Sequence, residues 1–193
     1  MPTPNRRRVT DIDALRTLAH PIRYQILGHL MAVGPQTASQ CAEVVGETPS
    51  NCSYHLRELA RFGLVERVDG DGGDARERPW RSTATGWMFG AADVAREDPV
   101  ARAANRRLQH AGIDEEARIA HDAIEAIETL DEPWREASIG QTFGLRVTAD
   151  ELAELGTAID ALLRPYIGLT RDDAPDDARP VHVSLTAFRH PLP

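Results

Sequence analysis

Apolar residues at three- and four-residue spacing mark the helices of this chain. Ile12, Leu15, Leu18 and Ala19 define a short helix with Thr10 as its N-cap. It stops at His20-Pro21, since a residue before proline avoids the helical region. A second helix follows, with Ile22, Ile26, Leu27 and Leu30 on its inner face, and ends at Gly34-Pro35. Thr37 caps a third, Ala38 to Val45, with Cys41, Val44 and Val45 turned inward, and Gly46-Glu47 turns the chain into a fourth.

That fourth helix has the best-marked boundaries. Thr48 suits the cap, Pro49 the first position and Gly63 the left-handed residue that ends it. Cys52, Leu56, Leu59 and Ala60 fall on one side, while Ser50, Asn51, Ser53, Tyr54, Arg57 and Arg61 fall on the other. Leu64 to Val68 then alternates as a strand, the Gly- and Asp-rich stretch 69–74 is a turn, and a returning strand carries Arg76, Arg78 and Arg81.

Beyond the hairpin, Thr85 to Phe89 reads as an apolar hinge, and Asp98-Pro99 starts a long helix reaching Leu130. Along it Ile113, Ala117, Ala120, Ile124 and Ile127 form a seam. Such a seam pairs with a second copy or docks on the chain's own first domain, and a stripe alone does not choose. Residues 137–147 have strand character, Thr148 and Glu151 form a capping box for a further amphipathic helix, and 181–188 alternates as a half-buried strand. His121, Asp122 and Glu125 share a helix face at ligand spacing, which a solvated charged face explains equally well.

Composition narrows the class. A content of 41% hydrophobic residues is ordinary for a soluble globular protein; there is no run of about 18 apolar residues, and with no apolar stretch after Arg6-Arg7-Arg8 no secretory signal is expected. A cytoplasmic location without membrane contact is expected. The formal charge of −8 is unevenly spread: residues 1–90 carry 11 Arg against 10 Asp and Glu, and 91–193 carry 11 Arg against 20. The first half is therefore close to neutral, and the acidity lies in the second. Cys41 and Cys52 both fall on inward faces, which favours two buried thiols over a ligand set with His55.

Two short helices joined by a tight turn, the second polar on its outer face, form a helix-turn-helix, and the following hairpin adds a wing. The expected fold is mainly α with a β wing (α+β). It comprises a disordered basic arm over 1–9, a winged helix-turn-helix domain over 10–90, and a helical and small α/β dimerisation region over 91–193.

Leu18-Ala19-His20-Pro21-Ile22-Arg23 with Ile26-Leu27, and Ser53-Tyr54-His55-Leu56 with Leu59 and Gly63-Leu64-Val65, resemble the two signatures of ArsR-type winged helix-turn-helix transcriptional regulators. The resemblance spans residues 12 to about 88. It implies a homodimer on double-stranded DNA, with recognition helices over 48–62 in successive major grooves of an imperfect palindrome. It places Ser50, Asn51, Ser53, Tyr54 and Arg57 at the groove, and Arg76 and Arg78 on a wing over 69–78 near the minor groove or backbone. His55 matches the family's histidine, at the edge of the buried face, where it either touches DNA or positions the helix. Metal-sensing members carry a Cys-x-Cys pair where this chain has Thr37 and Ser39, so no metal or other cofactor is expected.

The expected function is sequence-specific transcriptional regulation, as a repressor, with an unidentified small-molecule effector as a further partner. Trp87, Phe89, Trp134, Phe143, Tyr166 and Phe188 either line its pocket or simply fill the core. A winged-helix protein-interaction module without specific DNA binding is the alternative. No nucleophile elbow, phosphate-binding glycine loop or paired acid and base points to an enzyme.

Overall fold

A computed structural model describes residues 6–68, 78–89, 98–171 and 173–190. The turn over 69–74, Arg76 and residues 1–5 of the arm lie outside the described residues. In chain order the elements are strand β1 (Arg6–Val9), helices α1 (Ile12–Leu18), α2 (Pro21–Val33), α3 (Ala38–Val45) and α4 (Pro49–Arg61), strands β2 (Val65–Arg67), β3 (Trp80–Ser82) and β4 (Gly86–Phe89), and helices α5 (Pro99–Ala126), α6 (Glu132–Ala137) and α7 (Ala149–Leu163). The fold is α+β, a winged helix-turn-helix followed by a helical C-terminal half.

Local chemistry sets the helix ends. Thr37 and Gln40 close a reciprocal capping box at the start of α3. Thr48 Oγ1 accepts the Asn51 N–H at 3.2 Å, with Pro49 in the first turn of α4. At its other end Gly63 takes φ +64°, while the Gly63 and Leu64 amides bond back to the Ala60 and Leu59 carbonyls. In α1 the cap is Asp11, not Thr10; its Oδ1 accepts the Ala14 N–H at 2.8 Å, and a carboxylate there also complements the helix dipole.

Leu15, Leu18, Ile26, Leu30, Leu56 and Leu59 meet as fully buried side chains where α1, α2 and α4 converge. Val44, expected inward, is exposed. Strands β2 and β3 pair antiparallel, with Glu66 opposite Arg81 and Arg67 opposite Trp80. Gln36, between α2 and α3, extends this pairing through two backbone bonds to Trp80. The wing base is thereby tied to the helix-turn-helix.

The last four residues of the arm expected to be disordered form a strand: β1 runs parallel to β4, Arg6 opposite Gly86 through Val9 opposite Phe89. Val9 is buried, and the Arg7 guanidinium donates to the Gly63 carbonyl and Thr83 Oγ1 while lying over the Trp87 ring. The segment expected as a hinge is its partner strand.

Helix α5 divides in two. Its first half buries Ala101, Ala104 and Leu108 against α1 and α2. Gly112 completes that contact, because a Cβ there would stand 3.0 Å from the Tyr24 hydroxyl. Gln25 Nε2 donates to Glu115 at 2.7 Å. The second half leaves its seam in solvent, with Ile113 57% and Ile124 64% exposed, so the stripe does not dock on the chain's own winged domain. The strand character expected over 137–147 and 181–188 is not realised: α6 ends at Ala137, and the remaining residues carry no ladder. An alternating segment becomes a strand only where it pairs with an edge, and these segments pair with none among the described residues. The small α/β element expected in this half is therefore absent among the described residues. The capping box at Thr148 and Glu151 does form.

Candidate nucleic-acid interface

The site is assembled on α4 and the wing base. Cys52, Leu56 and Leu59 hold α4 on the core, and the same periodicity turns Ser50, Tyr54 and Arg57 outward, with Asn51 and Ser53 half-buried beside them. Asn51 Nδ2 donates to Glu47 Oε2 at 2.7 Å, which fixes its amide and leaves its carbonyl as an acceptor. The outward face thus presents small hydroxyls, an amide, a phenol and a guanidinium, a set able to satisfy base edges and phosphates.

His55 does not belong to that face. It is 4% exposed and points to the α1–α2 junction, where its ring lies 4.9 Å from that of His20. Arg23 Nε donates to His55 Nδ1 at 3.4 Å and also caps the Thr17 carbonyl. With Nδ1 accepting, the neutral ring carries its proton on Nε2. Burial is the main force pushing the His55 pKa below the usual histidine value, aided by His20 and Arg23 and opposed by Glu47 and Glu58. His55 therefore anchors the back of α4.

The wing base contributes a residue that the sequence reading missed. Arg67 is the outermost position on the inner face of β2, directly across from Trp80. Its guanidinium lies 4.3 Å from the Trp80 ring centroid and donates to the Arg78 carbonyl at 2.6 Å. Burial pushes its pKa down, and Arg78 and Arg57 push it further, so Arg67 lies within electrostatic reach of both. Arg81, assigned to the same strand as Arg78, is instead engaged with Glu66. Arg78 is exposed at the edge of the described wing, and Arg76 lies beyond it. The available signal was the pairing itself: an arginine at an inward position of a strand needs a flat partner, and Trp80 is the facing residue.

The remaining candidates separate. Cys41 and Cys52 are both buried free thiols. Burial, with Cys52 nearby, pushes the Cys41 pKa up to about 11. Thr37 is occupied as a helix cap. Asp122 pairs with Arg118 at 2.5 Å. The aromatic residues do not gather into one pocket, nor do they fill the core: Phe143, Tyr166 and Phe188 are each largely exposed. Trp87 lines a cavity of about 340 Å³ between β1 and the end of α4, together with Arg7, Arg8, Arg61 and Phe62. Trp134 is half-buried on α6, and the Phe89 side chain lies outside the described set.

A family model described as a helix-turn-helix domain matches residues 18–68, which span α2 through β2. No curated protein matches the chain. Among solved structures it is similar to the protein RV1404 from Mycobacterium tuberculosis, at 17% identity over 76% of this chain and 81% of that one, with a TM-score of 0.30. It is also similar to a multiple antibiotic-resistance repressor (MarR) from Listeria monocytogenes, at 12% identity over 78% and 81% of the two chains, with a TM-score of 0.30. A MarR family transcription regulator shares 18% identity over 83% and 82%, with a TM-score of 0.32. The functional reading rests on the helix-turn-helix match and on the geometry of α4 and the wing.

Proposed function

We propose that this helix-turn-helix chain is a homodimeric, sequence-specific DNA-binding transcriptional regulator that acts as a repressor. The observation that carries the reading is the two-sided burial of α4: one face is locked into the core, and the other offers Ser50, Asn51, Ser53, Tyr54 and Arg57 as a continuous polar strip. In this reading α4 enters the major groove, and Arg76 and Arg78 follow the minor groove or the backbone. His55 sets the angle at which α4 leaves the core. The two signature stretches around His20-Pro21 and Ser53-Tyr54-His55 support the ArsR type.

A second copy covers the exposed seam of α5. Ile113, Ala117, Ala120 and Ile124 recur at helical spacing on a face left exposed among the described residues, and self-pairing of two such faces generates a two-fold axis. That axis matches an imperfect palindrome. A small-molecule effector bound beside Trp87, between β1 and the end of α4, would act on the recognition helix.

The test is equilibrium binding to a duplex from the gene's own upstream region, beside a scrambled duplex of equal length. Preferential binding that weakens as salt rises is the expected result. Equal weak binding to both, or none, would replace this reading with a winged-helix protein-interaction module.

A further inference from the structure

The arginines on the recognition side of the domain are not equivalent. Arg61 on α4 is paired with Glu58 at 3.2 Å, and Arg81 on β3 with Glu66 at 2.7 Å. Arg57, Arg67 and Arg78 have no ion-pair partner among the described residues, and Arg67, whose guanidinium reaches the Arg78 carbonyl, feels the charge of both others. Like charges brought together repel, and a polyanion laid across them relieves that repulsion. Their elements differ: the recognition helix, the outgoing strand of the wing and the segment entering the returning strand. A ligand touching all three would reach from α4 to the base of the wing.

Arg67 is the fixed member of the set. The Trp80 ring supports its guanidinium from one side, and the Arg78 carbonyl takes one of its N–H groups. Trp80 is itself 5% exposed and held by backbone bonds to Gln36 in both directions. A guanidinium restrained in this way has lost much of its rotamer entropy before any ligand arrives, and several of its five donors remain for one. Arg57 and Arg78 are exposed.

We propose that Arg67, seated on Trp80, is a preorganised phosphate-binding residue that joins Arg78 in one cationic ridge, gripping the DNA backbone on the wing side of the groove face that carries Arg57. This rests on the DNA-binding reading and adds to it a residue that grips without reading sequence. A contact of that kind contributes equally to every duplex and releases about one counterion, so it changes the salt dependence and not the preference.

The experiment measures binding of the full chain to the upstream and scrambled duplexes between about 50 and 200 mM salt, for wild type, Arg67→Gln and Arg67→Lys. Thermal melts run alongside to show that each variant is folded. The log–log salt slope of Arg67→Gln should be shallower by roughly 0.9 on both duplexes, so a fourfold rise in salt costs it roughly 3.5-fold less affinity than it costs wild type. Arg67→Lys, which keeps the charge, should keep the wild-type slope while binding more weakly on both.

A folded Arg67→Gln with the wild-type slope overturns the proposal. So does a loss confined to the upstream duplex, which would make Arg67 a base reader. If wild type binds both duplexes equally, sequence-specific regulation fails while the slope difference still decides the ridge. If wild type binds neither, both fall.

Discussion

Acidification tests the anchoring of α4 from behind. His55 is 4% exposed, accepts a hydrogen bond from Arg23 on Nδ1 and lies against the His20 ring. A proton on Nδ1 would abolish that bond and set a cation beside Arg23. Glu47 and Glu58 favour the protonated ring but are outweighed, so the folded pKa lies below that of the unfolded chain. Between the two values the unfolded state binds more protons than the native state, and stability rises with pH. The stability is therefore present above the unfolded histidine pKa of 6.5 and lost as pH falls below it, until the folded pKa is passed. One such group can contribute a slope of at most about 1.4 kcal/mol per pH unit.

The assay is urea unfolding at pH 8, 7, 6 and 5.5 for wild type and His55→Gln, whose amide oxygen can still accept from Arg23 but does not titrate. Wild type should lose stability more steeply than the variant below pH 7, with the difference flat above it. His20 and His29 also have pKa values pushed down, chiefly by burial, and they remain in both proteins, so the difference reports His55 together with its coupling to the adjacent His20 ring. Parallel profiles, or a wild type that gains stability on acidification relative to the variant, would refute the assignment of His55 as a buried neutral acceptor.

Gly63→Ala should destabilise by about 1 kcal/mol: the left-handed conformation costs an L-residue about 1–2, and the loss of unfolded-state freedom returns about 0.4–1. No atom lies within 4 Å of the added Cβ, so a cost of several kcal/mol in a denaturation series would mean that the packing there is misread. Cys41, with its pKa pushed up to about 11, and Cys52 should both be silent to a thiol reagent at pH 8 until denaturant is added; prompt labelling of the native protein would contradict their burial. Ile124→Asp should shift the chain from dimer to monomer by light scattering, with helicity retained because the side chain is 64% exposed. A wild type that is already monomeric at micromolar concentration would remove the second copy from the account.

What the sequence made legible follows the range of the interactions involved. The limits of α3 and α4 are written within a few residues by Thr37 with Gln40 and by Thr48, Pro49 and Gly63, and those elements form where expected. Strand β1 was not legible, because its partner lies some 80 residues away at Gly86–Phe89 and parallel pairing leaves no local turn signal. His55 sits at the boundary between the two faces of α4, and periodicity alone does not tell a groove residue from an anchor; the Arg23 bond does. Arg67 reads as one more surface charge until its register with Trp80 is known. The alternation at 137–147 and 181–188 is genuine as a pattern, but neither segment pairs with an edge among the described residues.

The central claim is that the outward face of α4 reads bases. Its most direct test is the affinity of Arg57→Ala against wild type across the upstream duplex and single-base variants of it. The account predicts a loss of about 1–3 kcal/mol on the intact site that shrinks on duplexes altered at one position, the base Arg57 contacts. A variant that binds as well as wild type, or loses the same amount on every duplex, would contradict base reading by this helix face.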